Sequence, residues 1–268
     1  MPLAANGAAL RAHQCWQQER TTELSAPDSW LGLRGLFWLM PGNNPVGLTA
    51  DGELEIPAPG EVLGVLHVDG LSVEWRPEDG PAQPMVTDRN GAPSTVNLKN
   101  RLIFIAERDG RLAARVRDPG WAARQPFSGL RCFPFDPNWV IDAEWVPIDP
   151  PQMMELPNVL GELRPVSVAF CARFVHQGET VTLLPVSVDE EGAFFVFRDR
   201  TSGRETYGAG RFIKAGPPAN GRMTLDFNRA YNPPCAFTSF ATCPLPPPEN
   251  WLGFAVPAGE MKWAKPEH

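Results

Sequence analysis

The sequence predicts a mainly β protein, an antiparallel sandwich or flattened barrel built of two meanders, with an N-terminal helical arm. Three observations predict it. The 268 residues include 30 prolines and 24 glycines, about a fifth of the chain, interleaved with apolar runs and without the period of collagen. The apolar runs are short, and dipeptides suited to tight hairpin turns separate them. The one proline-free stretch with helical spacing is confined to the start of the chain.

That stretch runs from Gly7 to Leu24. Ser25-Ala26-Pro27 ends it, because the residue before a proline is pushed out of the α region. A second short helix is expected from Asp28 or Ser29, either of which can cap it. Trp30 to Met40 is apolar almost throughout. It reads either as a wall for stacking a ligand or partner, or as a core segment, and burial is the commoner use of large aromatics. Pro41-Gly42-Asn43-Asn44-Pro45 is a turn cluster.

Strands follow. Val62 to Val68 turns at Asp69-Gly70 into Leu71 to Trp75, and Arg76 to Pro84 is a polar loop. Leu102 to Glu107 turns at Asp109-Gly110 into Leu112 to Arg117. Phe127 to Trp139 is irregular and aromatic, and Pro147 to Pro157 reads as a crossover. Pro165 to Val175, Thr180 to Val188 and Ala193 to Arg198 are strands turned at Gln177-Gly178 and Glu191-Gly192. Residues 53–118 and 155–199 echo each other weakly, each opening on Glu-x-Pro and closing on Arg-Asp, at Arg117-Asp118 and Arg198-Asp199. No linker composition interrupts the chain. It therefore reads as a single domain, 1–268, with the helical arm at 1–40 and the β body at 41–268.

The totals exclude several classes. The formal charge is −7 with Lys and Arg dispersed, so no basic face for nucleic acid or anionic membrane is expected. No apolar run is long enough for a membrane helix, and the first residues lack the pattern of a secretory signal. The five cysteines, Cys15, Cys132, Cys171, Cys235 and Cys243, are odd in number and too scattered for a disulfide framework. The expectation is a soluble, cytoplasmic protein with reduced thiols. Oligomeric state is not legible.

The candidate site lies near the C-terminus. Met223, Leu225 and Phe227 alternate as a strand, which would put Asp226 and Asn228 together on the opposite face. Arg229, Tyr231 and Asn232 follow directly. Arg211 and Arg229 have the fork geometry that grips a carboxylate or phosphate. Tyr207, in Tyr207-Gly208-Ala209-Gly210-Arg211, sits where glycines let backbone approach a ligand closely. Cys235 and Cys243 stand in a proline-stiffened stretch. They read as a nucleophile or redox pair, as part of a metal site, as a disulfide, or as two small buried side chains. A metal site would need two further ligands, and His13, His67, His176 and His268 are not at ligand-like spacings; no metal site is assigned. Glu260 is a general-base or ion-pair candidate. Asp199-Arg200-Thr201-Ser202-Gly203 reads as an Asx turn. Signatures of nucleotide loops, hydrolase elbows and zinc proteases are absent, and no particular cofactor is implied.

Several strings resemble an uncharacterised bacterial and archaeal family, domain of unknown function 1684. They are Thr206 to Phe212, Leu225 to Phe237, Cys243-Pro244-Leu245-Pro246-Pro247, Glu249-Asn250 and Ala258-Gly259-Glu260. Upstream, Gly35 to Leu39, Arg115 to Asp118, Phe127 to Leu130 and Phe133-Pro134 also fit. The resemblance spans roughly Trp16 to Lys262, with Trp251 as a departure at a rim position. It implies a mostly β, soluble, single-domain protein and no particular reaction.

Two functions of different class follow. One is an enzyme acting on a small anionic molecule by hydrolytic or lyase-type chemistry. Its site would lie in 199–260, with Asp226, Tyr231, Cys235 and Glu260 as catalytic groups and Tyr207, Arg211, Asn228, Arg229 and Asn232 holding the substrate. The other is a non-catalytic ligand-binding or assembly module in which 226–260 is a rigid clasp. Arginines occupied by the chain's own carboxylates would favour the second.

Overall fold

The computed structural model describes residues 2–124 and 127–263. It is mostly β, with several antiparallel sheets and one long helix at the N-terminus, α1 (Pro2–Ser25). The chain divides into two compact units. One comprises residues up to Thr22 and from Ser128 on, and the other is Glu23–Phe127.

In the Glu23–Phe127 unit, Ser29 caps a 3-10 turn at Trp30–Gly32, where a second helix was expected. The strands are β1 (Leu33–Trp38), β2 (Gly42–Leu48), β3 (Leu54–Glu55), β4 (Glu61–Asp69), β5 (Ser72–Pro77), β6 (Gln83–Met85), β7 (Thr95–Leu98), β8 (Arg101–Arg108) and β9 (Arg111–Arg117). They form two sheets, ordered β1-β9-β8-β7 and β3-β2-β4-β5-β6. Val46, Leu66 and Trp75 from one and Ile103, Ile105 and Val116 from the other share one core, so the unit is a two-layer packing. The turns are local chemistry: Asp109 and Gly110 both take positive φ, as a two-residue hairpin loop demands. The expected turn cluster at Pro41–Pro45 is instead mostly strand. Buried Asn44 staples the bend, accepting from Met40 N–H and donating to Met40 C=O, both at 2.8 Å.

A short helix, α2 (Trp121–Arg124), follows β9 in the same unit. The other unit carries β10 (Val140–Pro157), β11 (Leu163–His176), β12 (Glu179–Leu183), β13 (Ser187–Asp189), β14 (Gly192–Phe197), β15 (Arg211–Ala215) and β16 (Arg222–Asp226). The sheets run β12-β11-β10-β16 and β13-β14-β15. Two expectations change here. Pro147–Pro157 is not a crossover but the second half of β10. The ladder slips between Pro147 and Gln152, which lets two prolines without N–H groups pass through a strand. The single strand expected at Thr180–Val188 splits into β12 and β13 around Pro185. Phe174 and Leu183, from the first sheet, pack with Phe195 and Ile213 from the second and with Leu225, Phe227 and Val256. The buried face of β16 thus delivers the chain into the candidate site.

Candidate functional site

β16 ends at Asp226 because its carboxylate leaves the ladder to cap the next turn. Oδ1 accepts from Asn228 N–H at 3.0 Å and from Asn228 Nδ2 at 3.1 Å, opening a 3-10 turn at Phe227–Arg229. Asn228 therefore does not share a strand face with Asp226. It is buried, and it pairs with the main chain of Asp136 like a miniature β-bridge, accepting from its N–H and donating to its C=O at 2.9 Å each. Arg229 Nε lies 3.4 Å from the other Asp226 oxygen, and both side chains meet solvent.

Arg211, on β15, is fully buried. One terminal nitrogen donates to Asp199 Oδ2 at 2.8 Å and to Val256 C=O at 2.9 Å, and the other donates to Ala258 C=O. Burial pulls the guanidinium below its ordinary pKa, and Asp199 opposes that shift. Asp199 is the Asx turn expected: its Oδ1 accepts from Thr201 N–H at 2.8 Å and also from Val256 N–H at 3.1 Å. The close approach permitted by Gly210 (φ +95) is to the carbonyl of Phe197, where an added Cβ would sit 2.5 Å away. These contacts fasten the run around Val256–Ala258 to the sheet.

Glu260 is the third anchor. It is buried, with Oε2 accepting from Asn232 N–H at 2.7 Å and Oε1 from Arg20 Nε, on α1, at 3.0 Å. Asn232 Nδ2 donates to Met261 C=O at 2.8 Å. Gly259 takes φ +80, and a Cβ there would lie 2.4 Å from the carbonyl of Ala230. Burial raises the Glu260 pKa, while Arg20 and the Asn232 N–H pull it back. The Tyr231 ring lies beneath the Arg20 guanidinium, 4.9 Å from its carbon.

The last group contains Tyr207 and the two cysteines. The Tyr207 hydroxyl donates to Cys235 C=O at 3.0 Å, and Cys235 N–H donates to Cys243 Sγ at 3.3 Å. Cys235 begins to emerge from a 3-10 turn at Pro234–Ala236, whereas Cys243 lies in the core with Met154, Leu156 and Val196. The Cys243 side chain, hydrogen-bonded to Cys235, lowers the Cys235 pKa; burial opposes this and the Tyr207 hydroxyl adds to it. Burial, then the neighbouring Cys235, pushes the Tyr207 hydroxyl well above its usual pKa.

The predicted residues thus fall into three groups: Asp226 with Asn228 and Arg229; Glu260 with Asn232, Tyr231 and Arg20; and Tyr207 with Cys235 and Cys243. Arg211 turns to Asp199. Three participants were missed. Arg20 and His13 come from the helical arm, far away in sequence. His13 is buried against Trp16 and Phe135, and neither ring nitrogen has a hydrogen-bond partner among the described residues. Burial lowers its pKa, Asp226 raises it and Arg229 lowers it. Asn250 is fully buried, accepts from Leu184 N–H and donates to Leu184 C=O at 2.8 Å each, and donates to Val196 C=O at 2.9 Å. Its only sequence signal was its place in the Glu249-Asn250 motif. Trp251, the rim departure, is exposed, donates to Pro246 C=O at 3.0 Å and stacks under Arg198. Among the described residues no group of three or more His, Cys, Asp and Glu is placed to hold a metal ion, and His268 lies outside them.

Residues 125–261 match the family model described as "Protein of unknown function (DUF1684)". The chain belongs to that family. The matched stretch holds every group above except the α1 residues, and the upstream motifs at Gly35–Leu39 and Arg115–Asp118 lie outside it. Among solved structures, the chain is similar to an uncharacterised protein of Haloarcula marismortui determined by solution NMR. Identity is 32%, over 50% of this chain and 77% of that one, with a TM-score of 0.42. No curated protein matches the chain. Among the described residues no helix is long and apolar enough to cross a membrane.

Proposed function

We propose that residues 199–261 form a rigid clasp and that the protein is a non-catalytic binding or assembly module. One observation carries this reading. Arg211, one of the two arginines expected to grip an anion, has both terminal nitrogens occupied by Asp199 and by the carbonyls of Val256 and Ala258, with its side chain wholly out of solvent. Asn228, Asn232, Asn250 and Glu260 likewise direct their hydrogen bonds to main chain and to the neighbouring side chains of Asp226 and Arg20. Such groups fix geometry rather than meet a substrate.

The second reading is an enzyme acting on a small anionic molecule by hydrolytic or lyase-type chemistry. It is favoured by Arg229, whose side chain is 44% exposed beside a 25% exposed Asp226. There Arg229 would hold the anion and Asp226 would serve as base.

Native mass spectrometry beside melting separates the two. In a clasp, Glu260→Gln and Arg211→Lys lower the melting temperature and leave any ligand or partner stoichiometry intact. A bound small molecule that the protein converts to product, with conversion lost in Asp226→Asn or Arg229→Ala and the melting temperature unchanged, would overturn the clasp in favour of the enzyme.

A further inference from the structure

Cys235 and Cys243 are two free thiols joined through a hydrogen bond, Cys235 N–H to Cys243 Sγ. From their geometry we infer a further activity: Cys235 and Cys243 form a peroxide-reactive dithiol that closes to a disulfide, with Cys235 attacking and Cys243 resolving.

The order follows from position. Cys235 is part-exposed on a short turn braced by Pro233 and Pro234, whereas Cys243 is buried among apolar side chains directly behind it. Only the outer sulfur can meet an oxidant first. The inner sulfur already accepts the outer residue's N–H at 3.3 Å, so it lies within one side chain's reach. Main-chain bonds hold both ends: Val159 N–H donates to Cys243 C=O at 3.0 Å, and the Tyr207 hydroxyl donates to Cys235 C=O. The adjoining Cys243 side chain pulls the Cys235 thiol below its ordinary pKa, burial opposes this and the Tyr207 hydroxyl adds to the pull, so the outer sulfur is the one favoured as thiolate. Partial burial selects a small oxidant over a bulky one.

The chemistry balances with a hydroperoxide as oxidant. The Cys235 thiolate attacks a peroxide oxygen; the S–O bond forms, the O–O bond breaks, and the leaving hydroxide or alkoxide takes up a proton. Cys243 then attacks the sulfenic sulfur; the S–S bond forms, the S–O bond breaks, and water leaves with the Cys243 proton. The peroxide gains the two electrons that the dithiol loses. An external dithiol restores the pair by exchange and leaves as its own disulfide.

The test uses the full chain with Cys15→Ser, since exposed Cys15 would otherwise cross-link molecules. The reduced protein is treated with hydrogen peroxide. The expected result is loss of two thiols, a mass lower by about 2 Da, and a Cys235–Cys243 cross-linked peptide, all reversed by dithiothreitol. Cys243→Ser keeps an acceptor for the Cys235 N–H and should halt the reaction at a sulfenic acid that dimedone traps on Cys235. A folded parent, by circular dichroism, that keeps its thiols overturns the proposal. So does a cross-link or adduct at Cys132 or Cys171. Peptide mapping of the parent decides the matter even if the Cys243→Ser chain does not fold.

Discussion

Residues 199–261 contain two Arg–Asp pairs that differ in burial. Arg211 and Asp199 sit 2.8 Å apart with both side chains wholly buried. Arg229 and Asp226 sit 3.4 Å apart with side chains 44% and 25% exposed. Residue type is the same in both, and context sets their worth. In the buried pair every charge that loses its partner is stranded in a low dielectric, so removal is costly even though forming the pair earns little. In the outer pair water competes for both partners.

The largest effect should therefore come from Asp199→Asn, which leaves the buried guanidinium uncompensated. A loss of roughly 3–5 kcal/mol is expected in urea unfolding. A loss below ~1 kcal/mol, the range of an exposed pair, would erase the contrast between the two pairs. Asn250→Ala is of the same order. It strands the N–H and C=O of Leu184 and the C=O of Val196, at roughly 1–3 kcal/mol for each group that water cannot reach. Hydrogen exchange would sharpen the result, because protection should fall first at the Leu184 amide.

These predictions also mark what the sequence could tell. Tight turns were legible because their chemistry is local: Asp109-Gly110 and Gln177-Gly178 take the positive φ values their composition invites. The Asx turn at Asp199 was legible for the same reason. The face assignment at Asp226 and Asn228 failed because an aspartate at a strand end can cap a turn as readily as it can extend the strand. The prolines near 150 hid a strand that survives by slipping register. The site's other half was out of reach: Arg20 meets Glu260 across 240 positions, and no local pattern encodes such a pairing. Sequence located the polar segment; only the fold says that Arg211, Asn228, Asn232, Asn250 and Glu260 are buried in it.

The helical arm offers a pH test of intermediate size. His13 is buried, with Asp226 and Arg229 as the charged groups acting on it. Its folded pKa lies below the ordinary 6.5, so below pH 6.5 the unfolded chain binds the proton more readily. Its contribution is full above that pH and is lost as pH falls through the folded value. Glu260 works with the opposite sign: its raised pKa makes its contribution present below 4.5 and lost as pH rises through the folded value. On acidification from pH 7 the His13 contribution should therefore lower the melting temperature while the Glu260 contribution raises it, and His13→Phe, which keeps the stacking on Trp16 and Phe135, should remove the falling part alone. An unchanged slope would remove His13 from the coupling of α1 to Asp226 and Arg229.

The smallest effect belongs to the outer pair, and it discriminates best. Arg229→Ala removes a half-exposed guanidinium whose partner stays hydrated and keeps its bonds to Asn228. The expected cost is about 0–1 kcal/mol, shrinking further in salt. A double-mutant cycle with Asp226→Asn isolates the pair, because Asp226→Asn alone also weakens the cap on the Phe227–Arg229 turn. A coupling of several kcal/mol would mean that Asp226 and Arg229 act as a second buried anchor, and the comparison with Arg211 and Asp199 would collapse. A coupling near zero with loss of a bound anion on Arg229→Ala would sharpen it differently. The inner pair would then hold the fold while the outer one meets the ligand, and the enzyme reading would gain the only arginine of the two that solvent can reach.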